Sequence, residues 1–128
     1  MNDFNLINFK GRKLTIETYN ILYEKSWEYL AGQIFNESNR KKIVITHHLP
    51  SPLCNIEKYM NSPINEGFCV DLTNKIIESK VDYWIYGHSH GNKKPFQIGS
   101  TMMMTNQLGY VFYEVNDQFV SDAMIELK

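Results

Sequence analysis

The four histidines are the residues of this chain best suited to chemistry, and all of them lie in two short segments. The first histidine segment, residues 46–51, reads Thr-His-His-Leu-Pro-Ser, and the second, residues 87–92, reads Gly-His-Ser-His-Gly-Asn. Neutral imidazole is the commonest side-chain metal ligand in proteins and also a general acid or base. Histidines that only filled a core would not be expected to gather twice in this way. We therefore interpret the two segments as parts of one site.

Each histidine segment follows an apolar run that predicts a strand. The β-branched run over residues 42–45 is typical of a strand buried on both faces. A second strand is predicted over residues 81–86, and a helix over residues 65–78 separates the two. The order strand, segment, helix, strand, segment predicts a layered arrangement with both histidine segments at one edge of a sheet.

The rest of the chain predicts further elements around this sheet. They are an amphipathic helix over residues 16–35, a hairpin over 96–104, and a second hairpin over 111–121 followed by a strand to about residue 127. Thr15 is the expected N-cap of the long helix, and its aromatic stripe is interpreted as core packing. The predicted fold class is α/β (α+β), a layered mixed β-sheet with flanking helices, in a single domain over residues 1–128.

Composition narrows the classes of function. A chain of 128 residues with a net charge of −1 gives no electrostatic basis for binding nucleic acid or an anionic membrane. No segment reaches the roughly 18 apolar residues of a membrane span, and no signal peptide is visible, so a cytoplasmic location is expected. Cys54 and Cys69 are not spaced as Cys-x-x-Cys, and we expect them to be reduced, partly buried thiols.

The two histidine segments become specific only when they are taken together. A lone His-x-His pair often occurs without metal, but flanking glycines allow a tight backbone turn. A strand ending in Val-x-Thr-His-His-x-Pro-Ser, a helix, and a strand ending in Trp-x-x-Gly-His-x-His resemble the last two motifs of the calcineurin-like metallophosphoesterases. Residues 105–110 also resemble the Asn-Pro-x-Gly-Tyr type of segment that follows those motifs in many bacterial members.

The resemblance implies a fold, a cofactor and a set of site residues. It implies the C-terminal half of a β-sandwich that holds two divalent metal ions (Mn, Fe, Ni or Zn). His47 and His88 would bind one ion and His90 the other, while Asn106 would contact substrate. His48 matches no fixed ligand position and is the candidate catalytic residue. It would face the substrate phosphate, orient His47 or pack, and a supporting or packing role is favoured.

The activity implied is hydrolysis of phosphate mono- or diesters by a metal-activated hydroxide. The family's other ligands lie in Asp-x-His, Gly-Asp and Gly-Asn-His-Asp/Glu motifs, and none of these occurs in this sequence. The resemblance therefore covers the C-terminal half of the family domain only. Without a bridging carboxylate, metal binding by this chain is expected to be weak or absent, and the isolated chain is expected to be inactive or nearly so.

Several alternatives stay open at this point. The chain could be a non-catalytic remnant, or a subunit that completes a site with another chain. A His-rich barrel conflicts with the two predicted helices, and an α/β domain with coincidental histidines is the simplest alternative. The phosphoester substrate is of unknown type. Because a missing half would leave apolar surface open, we expect a homo-oligomer or pairing with an N-terminal half.

Overall fold

The computed structural model describes residues 3–127 of the chain. Its contacts divide into two compact units, one ending at Glu37 and the other beginning at Ser38. The prediction of a single domain over residues 1–128 stays a prediction. Within the described residues, no helix is both long enough and apolar enough to cross a membrane.

The first unit is built around one long helix. It contains α1 (Asp3–Leu6), the two-residue strands β1 (Asn8–Phe9) and β2 (Arg12–Lys13), and α2 (Ile16–Ile34). The Thr15 hydroxyl accepts a hydrogen bond from the Thr18 amide at 3.2 Å, so the predicted N-cap is confirmed. Of the apolar stripe along α2, only Ile34 is buried, because the unit has just three very short elements to cover the helix.

The second unit holds the main sheet, which is mixed and has four strands. They are β3 (Ile43–Thr46), β4 (Tyr83–Tyr86), β5 (Phe96–Ile98) and β6 (Thr101–Met104), in the order β3-β4-β6-β5. β3, β4 and β6 run parallel to one another, and β5 pairs with β6 as the predicted antiparallel hairpin. Trp84 and Met103 on the two central strands are fully buried. The coarse prediction of a mixed α/β fold with a mixed, multi-stranded sheet is therefore confirmed.

The prediction that β3 is buried on both faces is wrong. Val44 is buried, but Ile43 is 41% and Ile45 is 74% exposed. β3 is the edge strand of the sheet, and the face that carries these two isoleucines is partly exposed at Ile43 and largely exposed at Ile45. A β-branched run predicts a strand well but does not show how many of its faces are covered.

The helix predicted over residues 65–78 is also corrected. The structure has a 3-10 turn at Asn65–Gly67 and a shorter helix, α3 (Thr73–Ser79). Between them the chain is extended, because Phe68 accepts a hydrogen bond from the Leu49 amide and the Val70 amide donates one to Leu49, each at 3.0 Å. Phe68 and Cys69 have the apolar spacing expected of a helix, but they are buried side chains on this non-helical segment.

The C-terminal region differs from its prediction as well. The second hairpin is formed by β7 (Gly109–Tyr110) and β8 (Glu114–Val115), and no strand follows β8 within the described residues. Its tip is highly exposed, with Phe112 at 92% and Tyr113 at 91%. Phe112 and Tyr113, which the sequence predicts on a strand of that hairpin, instead lie on its exposed turn.

Candidate metal centre

Parallel pairing of β3 with β4 brings the two histidine segments to the same edge of the sheet. Thr46, the last residue of β3, pairs with Tyr86, the last residue of β4. The pairing extends one step further, because the Gly87 amide donates a hydrogen bond to the His47 carbonyl at 3.1 Å. The predicted convergence of the two segments is thus what the sheet produces.

Three of the four histidines form a cluster, which we call the histidine cluster: His47, His48 and His88. One ring nitrogen from each lies within 4.8 Å of those of the other two. His88 Nδ1 and His47 Nε2 lie 3.1 Å apart, within hydrogen-bond distance. The ring of His48 lies 4.8 Å from the His88 ring and 5.3 Å from the His47 ring, measured between centroids.

The histidine cluster fits a divalent ion that prefers nitrogen ligands. At Zn–N distances of about 2.0–2.1 Å, tetrahedral geometry places ligand nitrogens about 3.3 Å apart, near the 3.1 Å observed between His47 and His88. His48 and His88 are half-buried and His47 is exposed, so an ion could enter from solvent. Within residues 3–127 the cluster contains no carboxylate, so it suits Zn, Ni or Cu better than Mg or Ca.

His90, predicted as a ligand of a second ion, lies outside the histidine cluster. Its ring meets Tyr110 edge-on with 4.4 Å between centroids. Its carbonyl accepts a hydrogen bond from Asn116 Nδ2 at 3.2 Å. The structure therefore brings His47, His48 and His88 together and gives His90 different neighbours.

Asn106, predicted to contact substrate, is exposed and bonded to the backbone. Its Nδ2 donates to the Val120 carbonyl at 2.7 Å, and its Oδ1 accepts from the Val120 amide at 3.0 Å. Both ends of the side-chain amide thus hold the chain downstream of β8.

Phe68 supports the histidine cluster, although the sequence predicts only that it lies within a helix over residues 65–78. Its ring stacks on His88 at 25° with 5.0 Å between centroids, and Tyr59 packs edge-on against its far side. Phe68 is buried, so it shields one face of the His88 imidazole from water. Its position after Gly67, in the loop following the first segment, was the signal available in the sequence.

The first histidine segment is fixed through the sheet beneath it. The indole Nε1 of the buried Trp84 donates to Thr46 Oγ1 at 3.1 Å. Thr46 Oγ1 in turn donates to the His48 carbonyl at 2.9 Å. This relay links the centre of β4 to the backbone that carries His48.

The second histidine segment has an unusual backbone. His88 has φ = 74° and His90 has φ = 51°, in the left-handed region that favours glycine, whereas neither flanking glycine has positive φ. Gly91 is needed for a different reason: a Cβ at this position would lie 2.5 Å from Ile56 Cδ1.

Gln107 is the principal contact of the second histidine segment with the rest of the fold. It is buried, and its Oε1 accepts from the His90 amide at 2.7 Å. Its Nε2 lies 3.0 Å from the Gly91 carbonyl and 3.2 Å from Ser89 Oγ. Asn92 completes the contact, since its Oδ1 accepts from the Gln107 amide at 2.6 Å and its Nδ2 donates to the Gln107 carbonyl.

Both cysteines are free and buried, as predicted for reduced thiols. Burial raises the pKa of the Cys54 thiol to about 12, with a smaller contribution from Cys69. Burial also raises the pKa of Cys69. These thiols are therefore neutral near pH 7 and are poor nucleophiles and poor metal ligands.

One comparison with known proteins gives a relative. "Uncharacterized protein L509" of Acanthamoeba polyphaga mimivirus is 37% identical to this chain over 121 residues. The match covers 86% of this chain and 42% of that protein, so the chain spans less than half of the relative's length. No protein-family model matches the chain, and no solved structure matches it significantly.

Proposed function

We propose that this chain binds a divalent transition metal ion at the histidine cluster and contributes that ion to hydrolysis of a phosphoester. The observation that carries the proposal is the approach of His47, His48 and His88 within 4.8 Å at the ends of two parallel strands. A bound ion would supply Lewis-acid activation of water and of the phosphoryl oxygens. The resemblance of both segments to calcineurin-like metallophosphoesterases selects phosphoesters from the reactions such an ion can promote.

The residues of this chain would hold and shelter the ion. His47 and His88 are the proposed ligands, and His48, which the resemblance leaves without a ligand role, lies within reach as a third. Phe68 stacks on His88 and keeps water from one face of that ring. His90 would bind the second ion of a complete dinuclear centre, since it lies outside the group of three histidines that would hold the first ion.

A complete hydrolytic centre needs ligands that the histidine cluster lacks. Two ions close together repel each other unless carboxylates bridge and neutralise them, and the described cluster has none. We propose that the missing ligands come from additional polypeptide, as the N-terminal half of a metallophosphoesterase domain. The relative, of which this chain matches 42%, is long enough to contain such a half.

Two further parts of the proposal concern partners. Asn106 is the proposed substrate contact, which requires its hydrogen bonds to Val120 to open. The exposed isoleucines on edge strand β3 favour either association of two copies of the chain or covering by an N-terminal half. Sedimentation of the purified chain at high concentration should show an oligomer, and a monomer would contradict the homo-oligomer.

The metal site is tested by titrating the metal-free chain with Zn²⁺ in a calorimeter. The sequence alone predicts weak or absent binding, but the approach of three imidazoles leads us to expect one principal binding event. It should be weakened in His88→Ala by more than the about 10–100-fold typical of losing a residue that only supports a ligand. His48→Ala should weaken it as well, and His90→Ala should change only a second, weaker event. Equal affinity in the wild type and His88→Ala, or no binding at all, would contradict the site.

The reaction is tested separately, with Mn²⁺ and an aryl phosphodiester. The isolated chain is expected to hydrolyse it no faster than His88→Ala, because the cluster lacks carboxylates. A chimera in which this chain replaces the matching part of the mimivirus relative should show hydrolysis that His88→Ala abolishes. A chimera that binds Zn²⁺ but hydrolyses nothing would favour the alternative, a non-catalytic subunit.

A further inference from the structure

We propose that Gln107 is a positioning residue, which fixes the backbone of the second histidine segment so that His88 meets His47 and His48. The inference deepens the proposed function and rests on it. Gln107 lies 17 residues beyond His90 in the chain, but its side chain contacts three consecutive residues of the segment, Ser89, His90 and Gly91.

The backbone of the second histidine segment needs such support. Positive φ at a residue with a Cβ costs free energy, and two such residues, His88 and His90, occur within three positions. A short loop in this conformation persists only where its surroundings over-determine it. Gly87, whose φ is not positive, does not provide the flexibility that its position suggests.

Gln107 uses both the donor and the acceptor groups of its side-chain amide to provide that support. A side-chain amide has two N–H donors and a carbonyl acceptor. The acceptor takes the His90 amide, and the two donors are shared among Gly91 O, Ser89 Oγ and Thr105 Oγ1, the last at 2.8 Å. Leucine offers none of these groups, and asparagine is one methylene too short to span the gap.

The geometry separates this role from that of a ligand. The side chain of Gln107 donates and accepts only at the backbone and hydroxyl groups of the second segment and its own loop, and none of these hydrogen bonds reaches a ring of the histidine cluster. Its effect on a metal ion would pass through the His88 backbone. Residues that orient ligands typically change metal affinity by about 10–100-fold.

The experiment compares Gln107→Leu and Gln107→Asn with the matched control Gln97→Asn, at an exposed position of β5. Amide hydrogen exchange is measured by NMR on the metal-free chain, followed by titration with Zn²⁺ alone. Both Gln107 variants should lose protection at the His90 amide, while the Met102 amide, bonded to the Asp82 carbonyl in the sheet, stays protected. Zinc affinity should fall about 10–100-fold in both and stay unchanged in the control.

The outcomes distinguish the proposed metal-binding function from the positioning role of Gln107. If the wild type binds no zinc, the proposed function is wrong, and the positioning role falls with it. If the wild type binds zinc and Gln107→Asn binds it equally well, only the positioning role is overturned. If Gln107→Leu does not fold, Gln107→Asn decides. Loss of protection at Met102 as great as at His90 would show a general structural role and would also overturn the inference.

Discussion

The two histidine segments hold equivalent places in the sheet, yet the fold fixes them in different ways. The first continues from edge strand β3 without left-handed residues, and it is fixed by the hydrogen bonds that link Trp84 to Thr46 and Thr46 to the His48 carbonyl. The second continues from central strand β4 with left-handed residues, and it is fixed by hydrogen bonds between Gln107 and the His90 amide and between Gln107 and Asn92. Parallel pairing brings the segments together, but separate polar contacts decide which imidazoles meet.

This difference explains why the two histidines of the second segment have different neighbours. Left-handed φ at both His88 and His90 turns the chain sharply twice. His88 then joins His47 and His48, while His90 packs against Tyr110 of β7. A segment with ordinary strand-like angles would have placed two residues at i and i+2 on the same side.

The largest effect is expected where one residue supports both segments. Trp84 is fully buried on the strand that leads to the second segment, and its indole bonds to Thr46 beside the first. Trp84→Ala should lower the free energy of unfolding by about 3–5 kcal/mol in urea titrations. Tyr113→Ala, a change at a residue that is 91% exposed, is the matched aromatic control and should cost little. Similar losses in both variants would contradict the assigned core.

A smaller effect should separate the first segment from the second. Thr46→Val removes the hydroxyl that accepts from Trp84 Nε1 and donates to the His48 carbonyl. The buried indole N–H then has no acceptor, which should cost about 1–3 kcal/mol of unfolding free energy. Thr46→Ser keeps the hydroxyl and is the control. Hydrogen exchange at His90 should be unchanged by Thr46→Val, and faster exchange there would show that the two segments are not fixed independently.

The sequence predicts the four strands of the main sheet, the long helix and the convergence of histidines because each depends on local pattern and parallel pairing. Thr15 as a cap and the hairpin over residues 96–104 are local in the same sense. The apolar spacing around Phe68, by contrast, fits a helix and a buried loop equally well. The helix predicted there from this pattern alone is therefore wrong. The bonds from Gln107 to His90 span 17 residues between polar groups, and no local periodicity reports such contacts.

Alkaline pH should test the packing that follows the first segment. Cys54 ends a 3-10 turn that begins directly after this segment, and burial raises the pKa of its thiol to about 12, against an ordinary value of 9.0. Between these two values the unfolded chain releases the thiol proton and the folded chain keeps it. The folded chain therefore keeps the full stability that this thiol contributes below pH 9. Above pH 9 its free energy of unfolding falls as pH rises, by up to about 1.4 kcal/mol per pH unit.

Cys54→Ala should remove this part of the pH dependence. Unfolding free energies at pH 8, 9 and 10 would then fall less steeply in the variant than in the wild type, whatever the cost of the cavity at pH 8. Burial also raises the pKa of Cys69, so Cys69→Ala is the matched comparison and should flatten the curve less. Parallel curves for wild type and Cys54→Ala would contradict the burial of this thiol.

The smallest effect is expected at the outer support of the second segment. Asn116 Nδ2 donates to the His90 carbonyl at 3.2 Å from a half-buried position, whereas Gln107 holds the His90 amide at 2.7 Å from a buried one. Asn116→Ala should therefore cost about 0.5–1.5 kcal/mol of unfolding free energy and leave the His90 amide protected. Asn116→Asp keeps the acceptor for the Gln118 amide but not the donor, so it isolates the bond to His90. Loss of protection at His90 in both variants would mean that the hairpin, not Gln107, keeps this segment in its left-handed conformation.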